Sequence, residues 1–171
     1  MSISSLSLEW HAEELSGRRI FGGRRTKVKH YPFVASIAIF GRFQCGGSIL
    51  SADIIITAAS CPVGLFIPSP PSFYYSILRI GSNFFNDGGE LIPVLEVYFH
   101  PVYNPKTLKN NLALLRLQRA IKFTKKSRKR VKRIDIDDKA HPLPSNTPRI
   151  TIVGWGATSV WFLSIFIQYY Y

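Results

Sequence analysis

The residues of this 171-residue chain whose types could do chemistry are four histidines, two cysteines, one acidic cluster and one dense basic run. His11, His30, His100 and His141 stand far apart, and no two have the helical or hairpin spacing of a metal site. His30 lies among Lys27, Lys29 and Tyr31, where solvation is expected, and His100 precedes Pro101 at a strand end. Asp135-Ile136-Asp137-Asp138 is too local to be more than a weak cation site. No metal and no cofactor is expected from these groups. Cys45 and Cys61 enclose fifteen residues. In a reducing compartment they would be buried free thiols; in an oxidising one they could close a loop worth ~3 kcal/mol. The run Lys122–Arg133 holds Lys122, Lys125, Lys126, Arg128, Lys129, Arg130, Lys132 and Arg133. A solvated connector is the favoured reading. The functional alternative is a patch for a heparin-like glycan or nucleic acid, because clustered cations release counterions from sulfate or phosphate. Phe123 is the only aromatic interleaved there, which argues against single-strand recognition and makes nucleic acid the weaker partner.

The elements that would position these groups are short strands. Apolar residues make up 46% of the chain and charged residues 19%, enough for a buried core and against disorder as the main state. No apolar run approaches the ~18–20 residues that span a bilayer. Lys and Arg number 22 against 10 Asp and Glu, a formal charge of +12 that points to an anionic partner without choosing one. Gly, Pro, Asn and Ser cut the middle of the chain into candidate strands Pro32–Phe40, Phe43–Leu50, Ile54–Ala58, Tyr75–Ile80, Leu91–His100 and Leu112–Leu117. Six such strands predict an all-β fold, a closed antiparallel barrel or a sandwich. The Pro-rich stretch Pro62–Pro71 reads as an exposed loop.

Several blocks then arrive in one order: Arg18-Arg19 before Ile20-Phe21-Gly22-Gly23, Tyr31-Pro32-Phe33, Cys45-Gly46-Gly47-Ser48-Ile49, Thr57-Ala58-Ala59-Ser60-Cys61, His100-Pro101-Val102-Tyr103-Asn104, Asn111-Leu112-Ala113-Leu114-Leu115-Arg116-Leu117 and Gly154-Trp155-Gly156. Together they resemble the N-terminal half of the trypsin-like serine proteases of the chymotrypsin fold. The resemblance covers roughly residues 18–157. It implies a trypsin-like antiparallel β-barrel, the first barrel complete and a second only begun. It also implies an activation cleavage between Arg19 and Ile20, a disulfide between Cys45 and Cys61, and extracellular residence. Residues 1–17, however, show no apolar stretch of the ~7–15 residues that a secretory signal needs.

Departures from the family pattern set the expected function. The resemblance puts the general-base His at the position of Ser60 and the orienting Asp at the position of Asn111. A Ser hydroxyl cannot take a proton near neutral pH. An Asp-to-Asn change of this kind costs about 10⁴-fold in rate. The nucleophile motif Gly-Asp-Ser-Gly-Gly-Pro does not occur, and with it go the expected oxyanion donors. No catalytic residue is therefore expected to be intact, and the chain is read as a non-enzymatic homologue of a serine endopeptidase. Three roles follow: a pseudoprotease binding a protease, inhibitor or protein substrate; a basic glycan- or nucleic-acid-binding module using Lys122–Arg133; or an incomplete gene product without an independent role.

The expected organisation is a leader over 1–19, a partial protease domain over 20–158 and a hydrophobic tail over 159–171. Within the domain, the first barrel spans 20–121, a basic connector 122–149 and the start of a second barrel 150–158. Ten of the thirteen tail residues are apolar or aromatic. Deprived of a second barrel, Val160–Ile167 would drive self-association.

Overall fold

The structure is a computed structural model that describes residues 24–63, 76–136, 151–156 and 166–170. In chain order the elements are β1 (Arg24–Arg25), β2 (Val34–Ile39), β3 (Arg42–Ile49), β4 (Ile54–Thr57), the one-turn helix α1 (Ser60–Val63), β5 (Ser76–Ile80), β6 (Glu90–Phe99), β7 (Ala113–Leu117), β8 (Ile152–Gly156) and β9 (Phe166–Tyr170). Strands β2-β3-β4-β7-β6-β5 close an antiparallel barrel, so its ladder has no free edge. All six strands expected from the sequence are present, with their ends moved by one or two residues. At the start of β2, for example, Tyr31, Pro32 and Phe33 lie outside the strand because the Val34 amide donates to Tyr31 O at 3.2 Å in a turn.

Period-two patterning explains the barrel. In β4, β5 and β7 every second residue is buried, so Ile55, Leu78, Ile80, Leu115 and Leu117 point inward to meet Ala35, Ile37, Ile49, Ile92 and Val94. Ile49, Ile55, Leu78 and Ile92 are fully buried, each worth ~1.5–3 kcal/mol. Gly47 lets β3 and β4 close up: a Cβ there would lie 2.9 Å from Ile55 Cγ2 and 3.0 Å from Ile56 O. Strand β6 bulges between Val94 and Glu96, next to Pro93, which cannot donate to the ladder.

Strand β2 breaks the alternation, being buried on both faces at most positions. Its outer face is covered by the loop 82–89 and by a second apolar cluster of Val28, Val34 and Trp155. Ser36 Oγ donates to Phe85 O at 3.3 Å. Arg79 fastens this loop: Nε donates to Phe85 O at 3.0 Å, Nη2 to Asn86 O at 3.1 Å and Nη1 to Gly88 O. Asn83 then ties in two distant segments. Its side-chain oxygen accepts the Val28 amide at 2.8 Å, and its carbonyl accepts Trp155 Nε1 at 2.9 Å.

A small sheet of order β1-β9-β8 lies outside the barrel. Strand β9 pairs antiparallel with β8 from Ile152↔Tyr170 to Gly156↔Phe166 and with β1 at Arg24↔Tyr169 and Arg25↔Gln168. The main chain of 166–170 pairs along β8, and residues 168 and 169 also pair with β1. Residues 160–165 lie outside the described residues. The single closed barrel among the described residues, followed by this short sheet, matches the expectation of one complete barrel and a second only begun.

Arg79→Leu removes three donors to loop carbonyls. The expected result is a loss of about 1–3 kcal/mol in urea unfolding and faster amide exchange across 82–89. Arg79→Lys should recover only part of the loss, because an ammonium cannot reproduce the guanidinium fork.

Candidate functional site

The β4–β7 ladder runs from Ile54↔Arg116 to Thr57↔Ala113. Past its Thr57 end the two chains continue side by side into Ala58-Ala59-Ser60 and Leu112-Asn111. Ala59 is fully buried, which anchors the start of α1 against the barrel. Ser60 and Asn111, 51 residues apart, then meet. Asn111 Oδ1 accepts the Ser60 amide at 2.7 Å, and Asn111 Nδ2 donates to Ser60 Oγ at 3.1 Å. The amide side chain thus caps α1 from the segment leading into β7 and fixes its own orientation by using both ends.

This pair is electrically neutral. The carboxamide has no proton-accepting nitrogen, and the hydroxyl is a poor base near neutral pH. The pair presents hydrogen-bonding groups, and neither member is a base near neutral pH. Cys61, the next residue, is bonded to Cys45, with the two Cα atoms 6.0 Å apart. Thr57 Oγ1 donates to Gly46 O at 2.8 Å, a second tie between the same two segments. The disulfide therefore holds α1 to β3, the hydrogen bond holds the end of β4 to β3, and Asn111 holds α1 to the approach of β7.

Arg19, Ile20, His11, His141, Asp137 and Asp138 lie outside the described residues. His30 Nδ1 lies 3.1 Å from Thr26 Oγ1, and His100 Nδ1 accepts the Val102 amide at 3.4 Å. Among the described residues no three His, Cys, Asp or Glu side chains converge on a point. The guanidinium of Arg116 is held more firmly protonated than usual, by its hydrogen bond with Tyr98 and then by the Glu96 carboxylate. It sits at the opposite end of the β4–β7 ladder from Ser60.

Lys125, Lys126, Arg128, Lys129, Arg130, Lys132 and Arg133 are all exposed, and so is Lys122. The segment bearing them is ordered by its own hydrogen bonds. Ser127 Oγ accepts the Thr124 amide at 2.9 Å, Thr124 Oγ1 accepts the Ser127 amide at 3.1 Å, and the Val131 amide donates to Ser127 O at 2.9 Å. Ile121 and Val131 insert into the barrel core at either end. The sequence reading of a plain solvated connector over 122–149 missed the anchor at Val131; the signal was a lone Val inside a run of cations. Arg133 Nε lies 3.6 Å from Asp135, an exposed pair of little energetic weight.

Comparison with known proteins gives a consistent result. A family model described as Trypsin matches residues 20–163. Trypsin alpha-4 of Lucilia cuprina is 34% identical over 148 residues, 85% of this chain and 52% of that protein. Trypsin of Sarcophaga bullata is 34% identical over 145 residues, 84% of this chain and 51% of that protein. The chain therefore spans about half the length of the curated relatives it matches. Among solved structures, a scabies mite inactivated protease paralogue aligns with a TM-score of 0.70 at 26% identity, covering 88% of this chain and 60% of its own. Human heparin binding protein aligns with a TM-score of 0.66 at 28% identity, covering 88% and 64%.

Removing the bond with Cys45→Ser and Cys61→Ser should lower stability by about 2–4 kcal/mol in urea unfolding. Asn111→Leu, which leaves the Ser60 amide without its acceptor, should cost ~1–3 kcal/mol, whereas Asn111→Asp keeps that acceptor and should unfold close to the parent.

Proposed function

As a member of the trypsin family of serine proteases, the chain has a scaffold whose parent activity is peptide-bond hydrolysis, and we propose that in this protein the scaffold no longer catalyses. On this reading Ser60 stands at the general-base position and Asn111 at the orienting-acid position. The observation that carries the proposal is the direct pairing of these two side chains at 2.7 and 3.1 Å. A family member able to work needs an imidazole there, held by a carboxylate. Here a neutral pair satisfies itself and leaves no base. The similarity to a scabies mite inactivated protease paralogue supports the same direction.

What the scaffold would then do is bind: a protease, an inhibitor or a protein substrate, outside the cell, where the Cys45–Cys61 bond would persist. A second reading is favoured by a separate observation. Eight exposed cations lie within twelve residues on a segment pinned to the core at Ile121 and Val131, which suits a polyanion. The similarity to human heparin binding protein supports a sulfated glycan as that polyanion.

The 171-residue chain should show no turnover of peptides cut after Arg, aromatic or small residues, and no labelling by an active-serine phosphonate. Stoichiometric phosphonate incorporation would overturn the proposal, and so would turnover that is lost on Ser60→Ala.

A further inference from the structure

The run 128–133 does not stand alone on the surface. The Lys132 amide donates to Pro32 O at 2.9 Å, which brings it against the short turn that carries Lys27, Lys29 and His30. That turn is tight, with the His30 amide donating to Lys27 O at 2.9 Å and the Tyr31 amide to Val28 O at 3.1 Å. The two basic segments are clamped to the same short stretch, one at Asn83 and the other at Gly81. At Asn83, the side-chain oxygen holds the Val28 amide. At Gly81, the missing side chain makes room for Val131, since a Cβ there would lie 2.9 Å from Val131 Cγ2 and 3.9 Å from Arg130 Cβ. Val28 and Val131 are both buried, so each turn is fixed from below while its cations stay outside. Lys27, Lys29, Arg128, Lys129, Arg130 and Lys132 are all exposed.

We propose that Lys27 and Lys29 complete a single polyanion-binding surface with Arg128, Lys129, Arg130 and Lys132, and that its ligand is a sulfated glycan. The inference rests on the polyanion reading given above and adds the half of the surface that lies about a hundred residues away in sequence. Lys29 is three residues from Pro32 and therefore within ~11 Å of it along the chain. Cations gathered on one face in this way present a joint positive field to an approaching polyanion, a field that weakens as salt rises. Acids are few beside it: Asp135 lies next to Arg133, outside the six cations named, and Asp87 is the one acid of the loop 82–89.

The form of the surface favours sulfate over nucleic acid. Two irregular turns supply the cations, with no long helix or protruding ribbon to enter a groove. Phe123 is the one aromatic in the run, too few for a stacking platform. The Cys45–Cys61 bond belongs to an oxidising compartment, where sulfated glycans are the polyanions met.

The test is binding of the full chain to a size-defined heparin octasaccharide by titration calorimetry, repeated over a salt series, with desulfated octasaccharide and a DNA duplex as competitors. The parent chain should bind the sulfated sugar at about 0.15 M salt and ignore the desulfated one. Lys129→Ala with Arg130→Ala and, separately, Lys27→Ala with Lys29→Ala should each weaken binding about three- to tenfold and flatten the salt slope. Lys27→Arg with Lys29→Arg should retain affinity, which separates charge from folding. Loss in the 129/130 variant with parent-like affinity in the 27/29 variant would overturn the composite surface while leaving the polyanion reading standing. Failure of the parent chain to bind the sulfated sugar would overturn both, and tighter binding to the duplex would overturn the choice of ligand.

Discussion

Closure of the barrel through the β4–β7 ladder is the constraint on which the site depends. Four residue pairs, Ile54↔Arg116 to Thr57↔Ala113, join the first half of the barrel to its last strand. Their register decides what lies beyond the ladder's end. A slip of one residue would turn Ile55 and Leu115 from the core to the surface, so burial enforces the register strongly. Given that register, Ser60 and Asn111 have to meet. Their pairing is a product of core packing, and no property of either residue taken separately would bring it about.

The same logic governs the exterior of β2. A strand buried on both faces needs a cover, and the loop 82–89 supplies it only because Arg79 holds three of its carbonyls. With the loop in place, Asn83 can reach Val28 on one side and Trp155 on the other. The turn before β2 and the β8 strand of the small sheet are thus attached to the barrel through one residue's two oxygens. The buried Val28 and Trp155 bring N–H groups that have to be satisfied, and here the satisfaction doubles as architecture.

How legible this was in the sequence differs from part to part. The six barrel strands were readable because short runs rich in β-branched and aromatic residues stand between Gly, Pro, Asn and Ser punctuation, and at the start of β2 a turn claims the main chain that the run would have given to the strand. The site was not readable from spacing, since residues 51 apart carry no local signature; only the resemblance to the trypsin-like proteases singled out Ser60 and Asn111. That resemblance also marked Cys45 and Cys61, whose bond the structure contains. The basic run was read by charge alone, and charge conceals Val131, an apolar residue whose burial depends on Gly81 and on strands far away in sequence. Pairing of β9 was equally hidden, because an apolar run without charges looks the same whether or not a strand edge awaits it.

On the proposed reading, the physical cost of abandoning catalysis in this scaffold is small. A buried or half-buried carboxylate facing an imidazole has to be held by surrounding donors and is sensitive to the loss of either partner. Asn111 and Ser60 need no such support: each satisfies the other, and the Ser60 amide has its acceptor in Asn111 Oδ1. The substituted pair therefore keeps the mechanical task of the position, fixing α1 to the end of the β7 approach, while dropping the chemical one. Scaffold and chemistry come apart at this point because the barrel core, the disulfide and the Arg79 loop make no contact that requires a charge at either residue.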